Sequence, residues 1–202
     1  MHREALRHLS RADRVLARLI KRVGKCPLAP RRGVQPYQAL VKSVAYQQLN
    51  GTAADTIFRR FRALFKGHQF PSPQQILAES DERLRSAGLS RAKTAAIKDI
   101  AAKTIEGVVP SRRAIVRLSD AEIAERLTAI RGVGPWTVEM LLMFTLGRPD
   151  VLPATDYGVR KGFAVTYGWS DLPTPNELFA HGERWRPHRT VASWYLWRAL
   201  EL

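Results

Sequence analysis

The amino-acid sequence predicts an all-α fold. Three observations carry that prediction. Apolar residues recur at helical spacing along most of the chain, helix-capping signals recur between them, and alternating runs of valine, isoleucine and threonine are absent. The 202 residues, 45% of them hydrophobic, suffice for one compact domain or two small lobes and exclude a disordered tail.

Residues 2–23 are Arg-rich, acid-poor and amphipathic, with Leu9, Ala12, Leu16, Leu19 and Val23 roughly on one face. A mitochondrial transit peptide has that character. The pattern runs straight into Pro30, Pro36 and globular sequence without an evident processing site, so it reads as an ordinary first helix. Pro36 opens a second helix with Tyr37, Leu40, Val41 and Val44 inward. Asn50-Gly51 breaks it, and Ala54, Ile57, Phe58, Phe61, Leu64 and Phe65 mark another helix ending at Gly67. Ser80 caps a short helix that carries Leu84 and stops at Gly88. Ser90 caps a longer one with Ile97, Ile100, Ala101 and Thr104 inward and Gly107 at its end. Ser119-Asp-Ala-Glu122 is a capping box before Ile123, Leu127 and Ile130, and Thr174-Pro-Asn-Glu177 is a second. Thr190 to Leu202 fits a last helix, for about ten in all with short loops and no internal repeat.

Charge narrows the partners. Lys and Arg number 33 against 18 Asp and Glu, a net +15, and residues 1–66 hold 15 basic and 3 acidic residues. Arginine holds phosphate bidentately and stays charged at any working pH, so a polyanion is the leading partner, ahead of a merely well-solvated surface. The basic stretch lacks the aromatic-rich apolar face of an interfacial anchor, and the longest apolar run, Met140 to Phe144, is far too short to span a bilayer. The expectation is therefore no membrane and an intracellular place, cytoplasmic and nucleoid-associated in a bacterium. The single cysteine, Cys26, excludes a disulfide framework, a four-thiolate zinc site and a four-thiolate iron–sulfur cluster.

One segment carries more chemistry than the rest. Leu127-Thr-Ala-Ile-Arg131-Gly-Val-Gly-Pro-Trp136 sets Gly-Val-Gly between one amphipathic helix and the first turn of the next. Two glycines one residue apart allow a tight hairpin, and Pro135 suits a first turn because its missing N–H would have been unpaired there. The next helix then offers free amides and its positive dipole end, a seat for phosphate that needs no base contact. A plain helix–turn–helix corner has the same outline.

With this hairpin in view, the sequence resembles the helix-hairpin-helix (HhH-GPD) DNA glycosylase superfamily, in its 3-methyladenine DNA glycosylase II branch. The resemblance covers about residues 35–202. It rests on Tyr46-Gln-Gln-Leu-Asn-Gly-Thr-Ala-Ala54, Gly88-Leu-Ser-Arg-Ala-Lys93, the hairpin 130–136, and Leu146-Gly-Arg-Pro-Asp150 leading to Leu152-Pro-Ala-Thr-Asp156-Tyr. Glu183-Arg-Trp-Arg-Pro-His-Arg189, followed by Trp194 to Trp197, matches the family's end.

The resemblance implies two helical lobes with the active site in the cleft between them. Residues 36–146 would form a helical barrel ending in the hairpin, and residues 1–35 plus 147–202 the lobe carrying the catalytic Asp. It implies excision of alkylated purines from duplex DNA by a monomer, without a cofactor for the chemistry. The catalytic carboxylate maps to Asp156, which on the residues alone is equally a helix cap. Trp136 and Tyr46 would wall the base pocket, where electron-rich rings stack a cationic purine, although core packing suits both. His188 would replace a pocket Trp, or cap the last helix. Bifunctional relatives carry a nucleophilic Lys where this chain has Trp136, so it should be monofunctional. Gln48, with Leu49 second, maps to the wedge that fills the gap left by a flipped nucleotide. Arg131, Gly132, Val133, Gly134 and Trp136 would bind DNA at the hairpin. The carbonyls of Thr128, Ile130 and Val133 match positions where the family holds a structural Na⁺ or K⁺. A non-catalytic DNA-binding module and a glycosylase for oxidised purines are the alternatives.

Overall fold

The computed structural model describes residues 2–31, 33–49, 51–67 and 70–202, so Asn50 of the expected Asn-Gly break lies outside the described residues. Among the described residues there are thirteen α-helices and no β-strand. They fall into two compact units, Met1–Arg31 with Leu142–Leu202, and Arg32–Leu141. The junctions expected from the resemblance, at 35/36 and 146/147, each move a few residues toward the N-terminus.

The discontinuous unit begins with α1 (Arg3–Ala12) and α2 (Arg14–Val23), where one helix was expected over 2–23. Asp13 makes the break. Its backbone is extended, and its carboxylate accepts the amides of Val15 and Leu16 to cap α2. The same carboxylate accepts from the Tyr167 hydroxyl at 2.6 Å, the Trp185 indole N–H at 3.0 Å and the His181 Nε2 at 3.1 Å. A buried charge with this many donors is satisfied rather than orphaned.

The continuous unit contains α3 (Pro36–Tyr46), α4 (Gly51–Ala63), α5 (Pro73–Ala78), α6 (Asp81–Ser86), α7 (Arg91–Ile105), α8 (Arg112–Ile115), α9 (Asp120–Thr128) and α10 (Pro135–Leu141). The five helices from α5 to α9 each begin behind a serine whose hydroxyl accepts an amide of the first turn. Such caps contribute about 1 kcal/mol each, which matters for helices too short to persist alone. Helix α7 runs through the middle and packs on α3, α5 and α6. Leu40, Val41, Phe61, Ile76, Leu84, Ile97, Ile100 and Ile115 are fully buried in this unit.

A π-helical turn, Leu142–Leu146, follows α10 and returns the chain to the discontinuous unit. There α11 (Tyr157–Tyr167), α12 (Pro175–Gly182) and α13 (Arg189–Arg198) pack with α1 and α2 around Leu9, Leu16, Phe163, Trp185 and Tyr195. Helix α11 approaches α13 so closely that a Cβ at Gly162 would sit 1.9 Å from the Leu196 carbonyl oxygen. Only glycine fits there.

Candidate active site and DNA-binding surface

The hairpin is built as its sequence requires. Gly132 has φ +76°, and a Cβ there would also meet the Ala96 side chain of α7 at 2.7 Å. Ile130 and Val133 are buried and anchor the turn from below, while the Val133 amide donates to the Ile130 carbonyl at 3.1 Å. The Arg131 amide donates to the Asp99 carboxylate of α7 at 2.7 Å. The Val133 amide thus closes the turn and the Arg131 amide is held by Asp99, while Gly132, Pro135 and Trp136 are exposed.

The loop after α3 is tied to this hairpin by Gln47. Its side-chain amide donates to the Gly132 carbonyl at 3.0 Å and to the Thr137 hydroxyl at 3.1 Å. The end of α3 is fixed by Lys93, whose ammonium donates to the Ala45 carbonyl at 2.9 Å and whose pKa burial lowers. Between these ties the chain is forced through a tight turn. Gln48 has φ +56°, alone among non-glycine residues described, and both Gln48 and Leu49 are exposed. Leu49 is therefore not a core residue.

Tyr46, Gln47, Gln48, Leu49, Gly134, Trp136 and Thr137 line one surface cavity of about 550 Å³. Five of the expected site residues, Tyr46, Gln48, Leu49, Gly134 and Trp136, thus share one concavity. Trp136 is 37% exposed, which removes simple core packing as its role. Tyr46 is half-buried, with its ring edge-on to Phe58 and its hydroxyl donating to Asp55.

Asp156 belongs to the discontinuous unit, at the N-cap of α11. Its Oδ1 accepts the Val159 amide at 2.8 Å, so the capping role is real. The same oxygen accepts the indole N–H of Trp197 at 2.8 Å. Gly158 leaves room for that ring: a Cβ there would lie 2.8 Å from the Trp197 Cδ1. Phe144, from the π-turn, backs the indole with ring centroids 5.8 Å apart.

His188 is placed differently. It is the N-cap of α13 but makes no side-chain cap bond, and its ring meets His8 of α1 edge-on at 5.4 Å. It borders a cavity of about 220 Å³ with His2, Leu28, Met143, Arg148 and Val191, all from its own unit. The aromatic side chain that touches Asp156 is Trp197, nine positions further on.

The HhH-GPD superfamily of base excision DNA repair proteins matches residues 41–187. The chain is 42% identical to DNA-3-methyladenine glycosylase 1 of Schizosaccharomyces pombe, covering 96% of this chain and 86% of that protein. It is 33% identical to the alkylbase DNA glycosidase-like protein mag2 of the same yeast, covering 100% and 95%. A solved structure of S. pombe 3-methyladenine DNA glycosylase (Mag1) in complex with abasic DNA superposes with TM-score 0.91 at 42% identity, over 98% of this chain and 97% of that one. This chain belongs to the HhH-GPD superfamily.

The HhH-GPD match encloses the Gln47 loop, the hairpin and Asp156, and stops before Trp197. Sequence reasoning had named neither Trp197 as the partner of Asp156 nor Gln47 as the tie between loop and hairpin. Gly158 and Gly162, one helical turn apart and facing a Trp-rich helix, were the available signal for the first. Nothing local signals the second, because its bonds span 85 and 90 residues.

Proposed function

We propose that this protein is a monofunctional DNA-3-methyladenine glycosylase of the type II class, which flips alkylated purines out of duplex DNA and removes them by hydrolysis. The observation that carries the reading is Asp156, a carboxylate fixed at a helix N-terminus by the Val159 amide and the Trp197 indole N–H. Alkylation at purine N3 or N7 makes the base cationic and already a good leaving group. What the site must supply is negative charge beside the oxocarbenium-like sugar, together with orientation of the attacking water. A rigid carboxylate held by these donors does both, and no paired acid is needed.

Trp136 presents an exposed ring where a cationic purine stacks, and it has no amine with which to form a Schiff base. Gln48 and Leu49, exposed on a strained turn in the same concavity, fill the gap left by the flipped nucleotide. The hairpin's main-chain carbonyls at Thr128, Ile130 and Val133 are a hard, neutral oxygen set that suits Na⁺ or K⁺. Such an ion would add positive potential beside a bound phosphate and take no part in the chemistry. The protein acts as a monomer.

The test is base release. Purified protein incubated with methylated duplex DNA frees 3-methyladenine without a cofactor and leaves an intact abasic strand. DNA retention without base release would reduce the protein to a binding module, and release only of oxidised purines would move it to another specificity.

A further inference from the structure

A second cavity of about 460 Å³ in the continuous unit is not used by this chemistry. It is lined by Lys42 and Tyr46 of α3, by Asp55, Phe58, Arg59 and Arg62 of α4, and by the turn that follows. Asp55, Phe58, Arg59 and Arg62 stand at positions i, i+3, i+4 and i+7, so one face of α4 presents them together. Lys42 and Tyr46 are likewise one turn apart on α3. The Lys42 ammonium lies 4.9 Å from the Tyr46 ring centroid and 5.7 Å from that of Phe58. Two rings thus hold the cation at the cavity wall.

Lys42, Arg59 and Arg62 outnumber the one carboxylate of the lining, Asp55, which accepts the Tyr46 hydroxyl, so the lining carries net positive charge. The volume exceeds what a lone phosphate needs and admits a sugar-phosphate unit. Tyr46 also walls the cavity that holds Gln48, Leu49 and Trp136, so the two concavities are neighbours across one side chain. A wedge can kink a duplex only if the backbone is held on both sides of the kink, because the deformation energy must be met by contacts. The hairpin amides supply one hold.

We propose that the Lys42–Arg59–Arg62 cavity supplies the other, seating a backbone phosphate of the DNA strand on the flank of the Gln48 loop remote from the hairpin. This rests on the DNA-repair reading above. It gives a task to part of the positive charge concentrated in residues 1–66.

The experiment compares the wild-type protein with the Arg59→Ala, Arg62→Ala double variant on a duplex containing an abasic site. Both residues are exposed on α4, and alanine keeps helix propensity. The Arg59→Gln, Arg62→Gln pair repeats the measurement should the first variant fold poorly. Kd is measured between about 50 and 200 mM salt, where each neutralised phosphate contributes a slope of about −0.9. The variant should bind more weakly at low salt, and its disadvantage should shrink about 3.5-fold per lost phosphate across that range. Duplexes carrying one methylphosphonate at a time then locate the contact. One position should weaken the wild type and leave the variant unaffected. Equal slopes, or equal loss at every methylphosphonate position, would overturn the proposal while leaving DNA binding intact. A flat salt response in the wild type would overturn the DNA reading itself. Phosphate on an aromatic floor also suits a free nucleotide, so dAMP is titrated in parallel. Loss of dAMP binding with an unchanged duplex slope would assign the cavity to a mononucleotide and refute the strand contact.

Discussion

Trp197 donates its indole N–H to Asp156 at 2.8 Å, across 41 residues of sequence. A hydrogen bond to a charged acceptor contributes about 1.5–3 kcal/mol. It also helps to hold the carboxylate in one orientation. Trp197→Phe keeps most of the ring and removes the donor. Single-turnover base release by this variant should fall roughly 10–100-fold, by that same energy, while Kd for abasic duplex changes little. Asp156→Asn should abolish release and retain DNA binding, since it removes charge but little volume. Near-native turnover by the Asn variant would remove Asp156 from the chemistry.

The close crossing of α11 and α13 is what delivers that indole. At Gly162 a methyl group would collide with backbone, the Leu196 carbonyl, which cannot rotate away. Gly162→Ala should therefore destabilise the protein by about 3 kcal/mol or more, visible in thermal melts. At Gly158 the obstacle is the Trp197 ring, 2.8 Å from the added carbon. Gly158→Ala should displace the indole from Asp156 and lower the rate of base release more than it lowers the melting temperature. Equal and full activity in Gly158→Ala would show that the indole contact is dispensable.

How much of this was legible follows from the range of each interaction. The capping boxes at Ser119 and Thr174 and the caps at Ser80 and Ser90 are local, and the structure has helices starting behind all four. Helices α5 and α8, of 6 and 4 residues, were missed because neither is long enough to repeat an apolar period. The break at Asp13 was hidden because Leu9 and Leu16 stay in one apolar stripe across it. Trp136, Gln48 and Leu49 could be proposed only through the family resemblance. The partner of Asp156 could not, because several aromatic residues near the C-terminus offered themselves and only packing distinguishes Trp197 from His188.

Asp13 joins the N-terminal helices to the C-terminal ones. Burial acts to raise its pKa. Hydrogen bonds from His181, the Leu16 amide, Tyr167 and Trp185 outweigh that and hold the carboxyl well below the usual carboxylate range. A folded pKa depressed in this way contributes stability above the unfolded value of about 3.9, and the contribution is lost as pH falls below it. Asp13→Ala should cost about 3–5 kcal/mol at neutral pH, the cost of leaving buried donors without their charge. It should also flatten the loss of stability between about pH 4 and 2. A variant that keeps the wild-type acid limb would assign that limb to other carboxylates.

Gln48 pays a conformational penalty that glycine would not. A left-handed residue with a side chain costs about 1 kcal/mol, so Gln48→Gly should melt at the same or a higher temperature than the wild type. If the side chain is the wedge, the same variant should release base about tenfold more slowly in single turnover, and Gln48→Ala should be slow and less stable together. Stability and function would then move in opposite directions at one position. Full activity in Gln48→Gly, Gln48→Ala and Leu49→Ala alike would discard this loop as the wedge.

His188 sits against His8, and its pKa is lowered by burial first and by the nearby His8 charge second, with Glu4 and Asp150 opposing. Its neutral form is the one the fold prefers. In the unfolded chain it titrates near 6.5, so the unfolded state binds the proton more readily, and stability is lost as pH falls below about 6.5 toward the folded value. Replacing it should remove that part of the pH dependence. His188→Trp separates this packing role from a role in substrate choice. Should the imidazole wall the base pocket, the Trp variant would change the lesion preference and abolish an acidic decline in 3-methyladenine release, because an imidazolium repels a cationic base. The contact with His8 points to the other result: a melting temperature less dependent on pH below about 6.5, with the profile of released bases unchanged.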